Sequence, residues 1–268
     1  MSIEDFIKKI PFSKKARAVA FDECGAIAID KGSGLMSHPN PGSKPGSAPA
    51  ILRAKYNFNG EYFSWDDEES GEKMRLYLIN RLDSPTSGLL LAAASEELAA
   101  ALKKAFKEKS AKKTYYAICV GRAFGKEGDW NDFLEVKKYG SYVRGKASPG
   151  GVRAITHYAS VAPDANGLSL TLMRLEPKTG RTHQLRIQCA SRKIPILGDE
   201  TYGNFAANRS LRQIAGAKRM YLHCAKTEVK FEFRGEKIKF AAESPLPQSF
   251  KDIIEYNPQT ARNKQGLR

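Results

Sequence analysis

The sequence predicts an α+β protein in which strands outnumber helices. Alternation of apolar and polar residues, typical of half-buried strands, recurs along the chain and is clearest from Leu168 to Glu176. Helical spacing or a helix cap is found at only four places: at residues 1–18, after Ser95, after Thr182 and before Pro258. Strands with a few dispersed helices favour the α+β class, although the pattern alone leaves the topology open.

The composition indicates a large, basic globular domain. The 268 residues carry a formal net charge of +15, and 41% of them are hydrophobic, which allows an ample core. The positive charge is spread along the chain rather than confined to a tail. A basic surface favours a polyanionic partner, of which nucleic acid is the commonest. A basic protein that binds no nucleic acid is the alternative, and charge alone does not decide between the two.

The cysteine pattern favours a reduced, cytoplasmic protein. The four cysteines are far apart in sequence, at Cys24, Cys119, Cys189 and Cys224. Without a closely spaced pair they predict free thiols and neither a disulfide framework nor a zinc site. The N-terminus carries acidic residues and lacks the continuous apolar core of a signal peptide. No apolar run is long enough to span a membrane.

The first half of the chain divides into recognisable elements. Residues 1–18 predict a leader helix that precedes a catalytic domain at residues 19–257. A strand follows from Val19 to Ile29, and alternation around an Asn-Gly turn predicts a hairpin from Tyr56 to Trp65. Ser95 is the expected N-cap of a helix with acidic residues in its first turn and lysines in its last.

The second half is less regular by pattern. Residues 122–166 are polar and predict irregular structure. Thr182 is the expected N-cap of a helix on which His183 and Arg186, three residues apart, share a face. A final helix carries apolar residues before Pro258, and residues 258–268 predict a disordered basic tail.

One polar loop, at residues 80–88, lies between two apolar runs. Such an arrangement holds a loop rigidly on a buried scaffold. The loop contains one cation, Arg81, and one carboxylate, Asp83. In an ordinary turn Asp83 would cap the backbone two residues on, and Pro85 would fix φ.

Four motifs in order resemble those of the RluA-type pseudouridine synthases. The second of them in chain order resembles the family pattern His-Arg-Leu-Asp-x-x-Thr-Ser-Gly-Leu, which is matched at Arg81, Leu82, Asp83, Thr86, Ser87, Gly88 and Leu89, with Asn80 in place of histidine. The other three resemble Lys-Pro-x-Gly-Leu…His-Pro at residues 31–39, Lys-x-Tyr-x-Ala at 113–117, and Pro-x-Thr-Gly-Arg-x-His-Gln-x-Arg at 177–186. Gly32 stands where the family usually has proline. The resemblance covers about Gly25 to Ile254.

The resemblance implies a fold, a reaction and a set of residues. The implied fold is a mixed, mostly antiparallel bent sheet with flanking helices and loops around a central cleft. The implied reaction isomerises uridine to pseudouridine in structured rRNA or tRNA, after the nucleotide is flipped out of its helix. The implied catalytic residues are Asp83, Tyr115 and Arg186. The implied substrate-binding residues are Arg81, Thr86, Arg181, His183 and Gln184.

Each of these implied roles has a chemical reason. Asp83 would attack the substrate or remove a sugar proton, and the sequence does not choose between the two. Arg186, on a helix, is expected to pair with Asp83 in preference to Arg181 on a glycine turn. Tyr115 would stack on the base and transfer a late proton. Arg81 would fill the place of the flipped uridine, or else form a structural salt bridge. No step needs a cofactor or a metal, and the partner is RNA.

Further expectations and two alternatives remain. The chain is expected to be a monomer away from membranes, without the extra N-terminal RNA-binding module that such enzymes often carry. One alternative is a catalytically silent RNA-binding or ribosome-assembly protein on the same scaffold. The other is an unrelated hydrolase that uses Asp83 with a distant histidine, although no Gly-x-Ser-x-Gly pattern supports it.

Overall fold

The computed structural model describes residues 1–42, 49–123, 125–139, 142–163 and 167–256. The chain divides into two compact units. Unit 1 comprises Met1–Lys113 and Cys224–Ser244, and unit 2 comprises Thr114–His223 and Pro245–Arg268. Within the described ranges, no helix has the length and apolar character needed to cross a membrane.

The described residues form thirteen strands and five helices, joined by loops and turns. The strands are β1 (Ala16–Phe21), β2 (Ala26–Lys31), β3 (Lys55–Asn57), β4 (Tyr62–Asp66), β5 (Lys73–Leu78), β6 (Ser87–Ala93), β7 (Ala111–Val120), β8 (Glu127–Tyr139), β9 (Tyr142–Ala147), β10 (Val152–Pro163), β11 (Leu170–Pro177), β12 (Leu222–Phe233) and β13 (Glu236–Glu243). The helices are α1 (Ile3–Lys8), α2 (Glu96–Lys107), α3 (Gln184–Ser191), α4 (Phe205–Ala215) and α5 (Gln248–Ile254).

Unit 1 is organised around strand β6. All seven of its residues are buried, as expected for a strand covered on both faces. It pairs antiparallel with β5 and with β2, which in turn pairs with β1. The hairpin β3–β4 extends the sheet beyond β5, and β12 lies on the other side of β6. The loop that carries Asp83 therefore leads directly into the most buried strand of this unit.

Unit 2 is an antiparallel sheet in the order β7–β11–β10–β8–β9. Helix α3 packs Ile187 against Leu134 of β8 and Ala154 of β10. A second apolar cluster gathers residues from β7, α4 and α5, among them Ile118, Leu211 and Phe250. The first of these clusters holds α3, which carries Arg186, against the sheet.

Several sequence predictions are confirmed. The fold is α+β, and every strand pairing described within the two units is antiparallel. The hairpin β3–β4 turns at the predicted Asn-Gly pair. Ser95 caps α2, accepting a hydrogen bond from the backbone N–H of Leu98 at 3.3 Å. Phe250 and Ile253 are buried on α5, as its pattern indicated.

The predicted leader helix over residues 1–18 is wrong in length. Helix α1 spans six residues, Ile3–Lys8, with Ser2 as its N-cap. Pro11 follows closely, and proline has no N–H with which to continue a helix. Residues from Ala16 onward already form β1 of the unit 1 sheet. The predicted disordered tail at 258–268 lies outside the described residues.

The irregular structure predicted for residues 122–166 is also wrong, because β8, β9 and β10 lie there. Of the side chains on β8, Trp130 and Leu134 are buried, whereas Phe133 between them in the alternation is exposed. A strand with so few buried positions gives a weak alternation signal. Helix α4 was missed as well, although Asn204 as N-cap and Gly216 after its end are typical helix signals.

The hydrogen bonds of Asp67 in unit 1 are expected to stabilise the fold less at acidic pH. Its Oδ2 accepts hydrogen bonds from Lys9 Nζ at 2.7 Å and Ser70 Oγ at 2.7 Å, which lower the pKa of Asp67 to about 2. A lowered pKa stabilises the folded state above the unfolded value of about 3.9, and this stabilisation is lost as pH falls toward 2. We therefore expect Asp67→Asn to lower Tm at pH 7. Below pH 4 the difference in Tm between this variant and the wild type should become smaller.

Thermal unfolding of both proteins between pH 7 and pH 2 measures this difference. Glu69→Gln is the control, because Glu69 also pairs with Lys9, at 3.2 Å, but is exposed. Its curve should follow that of the wild type. Parallel curves for Asp67→Asn and the wild type would contradict the assignment.

Candidate active site

The Asp83 loop is held by hydrogen bonds to its backbone. Ser37 clamps Leu82 from both sides: its Oγ accepts from the Leu82 N–H and donates to the Leu82 carbonyl, each at 2.9 Å. The backbone N–H of Thr86 donates to the Asp83 carbonyl at 3.0 Å, closing a turn. Ser37 and Thr86 are buried, Asp83 is half-buried and Arg81 is exposed. These contacts leave the Asp83 backbone little freedom.

A buried lysine supports the same loop from the first motif. Lys31 is 0% exposed, and its Nζ donates to the carbonyls of Leu35 at 2.8 Å, Ser84 at 3.0 Å and Gly32 at 3.2 Å. A buried ammonium is costly unless its donors are satisfied, and carbonyl oxygens satisfy these. The positive charge is thereby fixed against the residue that follows Asp83.

Two more bonds join the segment at residues 31–38 to the Asp83 loop. Ser33 Oγ donates to the Pro85 carbonyl at 2.8 Å, and the Gly34 N–H donates to the Ser84 carbonyl at 2.9 Å. The first and second motifs of the sequence are therefore joined in one hydrogen-bonded structure. The first motif donates to carbonyls of the loop, and Ser37 also accepts from the Leu82 N–H.

Each departure from the family pattern has a structural counterpart. Asn80, in place of histidine, accepts a hydrogen bond from the Leu91 N–H of β6 at 2.8 Å and so ties the start of the loop to the buried strand. Gly32, in place of proline, donates its N–H to the Lys15 carbonyl at 2.6 Å. A proline could not make that bond.

Gly88 is required by a close approach. Its φ is +103°, and a Cβ placed there would overlap the backbone carbonyl of Cys224. Any other residue would push β6 away from this backbone, which explains the glycine that ends the loop.

Arg81 is paired with an imidazole. Its Nη1 lies 2.8 Å from His38 Nε2, and His38 Nδ1 lies 2.7 Å from the Pro39 carbonyl. The carbonyl can only accept, so Nδ1 carries the proton and Nε2 accepts from the guanidinium. In the described part of the chain this imidazole, and not a carboxylate, is the hydrogen-bond partner of Arg81. The salt-bridge alternative for Arg81 is therefore not observed.

In unit 2, Arg186 forms a buried bidentate pair with Asp199. Nε lies 2.7 Å from Oδ2 and Nη2 lies 2.9 Å from Oδ1, and the two side chains are 5% and 1% exposed. Asp199 also accepts from the N–H groups of Thr201 and Tyr202, at 2.8 and 3.0 Å. Burial acts to raise the pKa of Asp199, but the Arg186 guanidinium and these N–H groups outweigh it and hold the pKa below its usual value.

Tyr202 connects this pair to His183. The Cζ atom of Arg186 lies 5.1 Å from the centroid of the Tyr202 ring, within the range of a cation–π contact. The Tyr202 hydroxyl accepts from the Gly145 N–H at 2.8 Å and lies 2.9 Å from His183 Nδ1. His183 has a left-handed backbone, with φ +55°, which is uncommon outside glycine.

The prediction that Thr182 caps α3 is wrong. His183 is the N-cap, and its side chain makes no capping bond. Gln184 organises the preceding turn instead: its Oε1 accepts from Thr179 Oγ1 at 2.7 Å and from the Arg181 N–H at 3.1 Å. Its Nε2 donates to the Ile155 carbonyl at 3.0 Å. A left-handed N-cap cannot be inferred from residue preferences, which is why the sequence suggested the threonine.

The structure places the predicted residues in two groups. Unit 1 carries Arg81, Asp83 and Thr86. Unit 2 carries Tyr115, Arg181, His183, Gln184 and Arg186. Tyr115 is buried on β7, opposite Leu175 of β11. Arg181 is exposed, and its Nε donates to the Arg153 carbonyl at 3.2 Å.

Comparison with known proteins decides the family. A model described as RNA pseudouridylate synthase matches residues 26–191, a range that contains Asp83, Tyr115 and Arg186. The chain belongs to the RNA pseudouridylate synthase family. The predictions of an isomerase and of the pseudouridine synthase fold are confirmed.

Relatives of known name support this assignment of the family member, and a solved structure shows the same fold. It is 31% identical over 233 residues to ribosomal large subunit pseudouridine synthase D of Borreliella burgdorferi, covering 85% of the chain and 65% of the relative. It is 31% identical over 177 residues to tRNA pseudouridine synthase C of Yersinia pestis, covering 62% of the chain and 68% of the relative. Human RNA pseudouridylate synthase domain containing 1 shares the fold, with a TM-score of 0.62, 20% identity, and coverage of 89% of the chain and 88% of that structure.

Sequence reasoning gave no structural role to four residues around the candidate residues of this pseudouridylate synthase family member. Lys31 and Ser37 support the Asp83 loop in unit 1, and Asp199 and Tyr202 contact Arg186 in unit 2. One signal was available for Asp199: an arginine buried on a helix needs a carboxylate partner, and Gly198-Asp199 follows α3 closely. No sequence pattern indicates that Lys31 and Ser37 would bond to the backbone of a loop some fifty residues away.

Proposed function

We propose that this chain isomerises uridine to pseudouridine in a structured ribosomal or transfer RNA, with Asp83 acting on the reacting nucleotide. One observation carries the proposal. Asp83 is a half-buried carboxylate on a loop whose carbonyls are fixed by Lys31, Ser33 and Ser37. A reacting group must be held in position by its surroundings, and this loop provides that.

The reaction divides between the two groups of residues. The bond between C1′ and N1 breaks, the uracil turns, and a bond forms from C5 to C1′. The proton on C5 leaves, and N1 gains one. Asp83 would attack the substrate or remove a sugar proton, and Tyr115 would stack on the base and take part in the late proton transfer.

We propose that Arg186 is the cation that pairs with Asp83. Its Nε and Nη2 donate to Asp199. A guanidinium held by a buried carboxylate on a helix has a defined direction. Arg181, on the exposed turn, would then bind phosphate. Thr86 and Gln184 would support the loop and the turn, and His183 would contact the RNA.

The purified protein, incubated with transcribed rRNA or tRNA, tests the proposal. Tritium release from C5 of labelled uridine, or carbodiimide labelling of the product, detects isomerisation. Release of free uracil, or cleaved RNA, would instead identify the hydrolase alternative. Tight binding without either reaction would favour a silent assembly factor, which the comparisons do not support because the relatives are named as enzymes. A cytoplasmic location and a monomeric state stay predictions.

Arg81 gives a specific test of base flipping. We expect Arg81→Ala to slow turnover of a structured RNA by about tenfold or more, because the guanidinium would stabilise the vacated stack. The loss should be smaller when the target uridine is mismatched, since its extrusion costs less than the few kcal/mol of a paired base. Steady-state rates on the two RNAs measure the difference.

Arg53→Ala is the matched control, because Arg53 is also an exposed arginine of unit 1. Its turnover should stay near that of the wild type on both RNAs. An equal loss on both substrates for Arg81→Ala, or a large fall in Tm, would show that Arg81 supports the fold instead.

A further inference from the structure

An aromatic cluster lies beside Arg81 and takes no part in the chemistry proposed above. It consists of His38, Tyr56 and Phe58. The His38 ring stacks on the Tyr56 ring, with centroids 4.9 Å apart and an interplanar angle of 9°. The Phe58 ring stands edge-on to both, at 6.0 Å from His38 and 5.1 Å from Tyr56.

The aromatic cluster is supported on one side and open on the other. Tyr56 packs on the fully buried ring of Phe63, with centroids 4.8 Å apart. Phe58, at the turn of the β3–β4 hairpin, is 45% exposed. Leaving an aromatic ring in water forgoes the free energy that its burial would supply. A rigid aromatic surface that is left open suits a flat ligand.

The charge around the aromatic cluster is positive. Arg81 donates to His38, which places a guanidinium at the edge of the stacked rings. Burial and the nearby carboxylate of Glu61 raise the pKa of Tyr56 to about 12, so its hydroxyl stays neutral near pH 7. Glu61 is itself paired with Lys103 at 2.7 Å. A cationic, aromatic surface favours a ligand with flat rings and negative charge.

We infer that the aromatic cluster stacks an unpaired nucleobase of the RNA, next to the nucleotide on which Asp83 acts. The inference rests on the proposed function and adds the form of its substrate: a single-stranded segment beside the target uridine. Aromatic side chains with a nearby arginine stack bases of any identity, because every base has a π-face. Arg81, two residues before Asp83, connects the aromatic cluster to the reacting loop.

Binding of two probes by Phe58 variants tests the inference. The probes are fluorescently labelled decauridylate and a ribose-phosphate decamer of the same length without bases. We expect Phe58→Ala to weaken decauridylate binding by about five- to a hundredfold, the range for one stacked base. Binding of the base-free decamer should be unchanged, because its phosphates do not stack. Fluorescence anisotropy at fixed low salt gives both affinities.

Three further variants separate stacking from folding. Phe58→Leu keeps the apolar bulk without the ring and should also lose decauridylate affinity. Phe58→Trp keeps a ring and should retain it, and its added fluorescence should be quenched by decauridylate but not by the base-free decamer. Phe21→Ala removes an exposed phenylalanine of β1, 43% exposed, and should change neither affinity.

The outcomes distinguish this inference from the proposed function. Unchanged decauridylate affinity in Phe58→Ala and Phe58→Leu overturns the inference, even if isomerisation is observed. The aromatic cluster would then be assigned to binding a protein ligand. Undetectable binding of decauridylate by the wild type, or equal losses for the two probes, also overturns it. A base-dependent loss supports it, and does so even if the separate tritium assay finds no isomerisation.

Discussion

Substitution of Asp83 by asparagine is expected to lower the rate of uridine isomerisation by about a thousandfold or more. An amide has nearly the shape of a carboxylate but can neither attack a sugar carbon nor accept a proton from it. The loop is held through its backbone by Lys31 and Ser37, so its position should survive the change. Affinity for RNA and Tm should therefore stay close to those of the wild type.

Single-turnover rates and RNA affinity, measured on the same preparations, test this expectation. Asp66→Asn is the matched control, because it removes an exposed carboxylate of the same unit and should keep full activity. Turnover by pure Asp83→Asn protein within tenfold of the wild type would refute the role of Asp83.

Asp199→Asn is expected to have the largest effect on stability. Removing one partner of a buried ion pair leaves the other charge uncompensated, which costs about 3–5 kcal/mol of the free energy of unfolding. Arg186 would lose its bidentate partner, and activity should fall as the guanidinium loses its fixed direction. Urea unfolding, followed by circular dichroism, measures the stability change.

The pair of Arg192 and Asp132 in the same unit is the control. It is also bidentate, at 2.9 and 3.1 Å, but its side chains are 29% and 18% exposed. Asp132→Asn should therefore cost less free energy of unfolding and little activity. Equal losses in the free energy of unfolding for Asp199→Asn and Asp132→Asn would show that burial of the Arg186–Asp199 pair does not increase its contribution to stability.

A double substitution separates the two roles of Arg186. Replacing a buried pair by apolar residues of similar volume is often neutral for stability. We expect Arg186→Met with Asp199→Leu to recover much of the stability lost in Asp199→Asn but none of the activity. Recovery of both would assign Arg186 to folding alone.

The sequence motifs pointed to candidate residues but not to the contacts that surround them. Asp83 and Arg81 are recognised by their own short pattern, which is local in sequence. The partner of Arg186 is separated from it by a turn whose path depends on packing, so Asp199 received no role. Lys31 is recognised by its motif. Its hydrogen bond to the Ser84 carbonyl, however, depends on the pairing of β2 with β6.

The helices and strands show the same difference between local signals, which the sequence reveals, and contacts that depend on packing. Helix α2 and the hairpin β3–β4 were predicted because their caps and turn are local signals. Strands β8 and β9 were missed because most of their described side chains are exposed or half-buried, so the apolar alternation that identifies a strand is weak. The start of α3 was misplaced because the left-handed backbone of His183 is imposed by its surroundings.

The way the Asp83 loop is anchored also bears on which substitutions it tolerates. Ser84 and Pro85 are held through their carbonyl oxygens, and every amino acid has one. Their side chains can vary without loss of the anchor, which accounts for the two unspecified positions after aspartate in the family pattern. The side chain of Lys31, which donates to the Ser84 carbonyl and is specified in the family pattern, has no such latitude. Diversity introduced into this enzyme to alter its RNA preference is therefore best placed at positions 84 and 85.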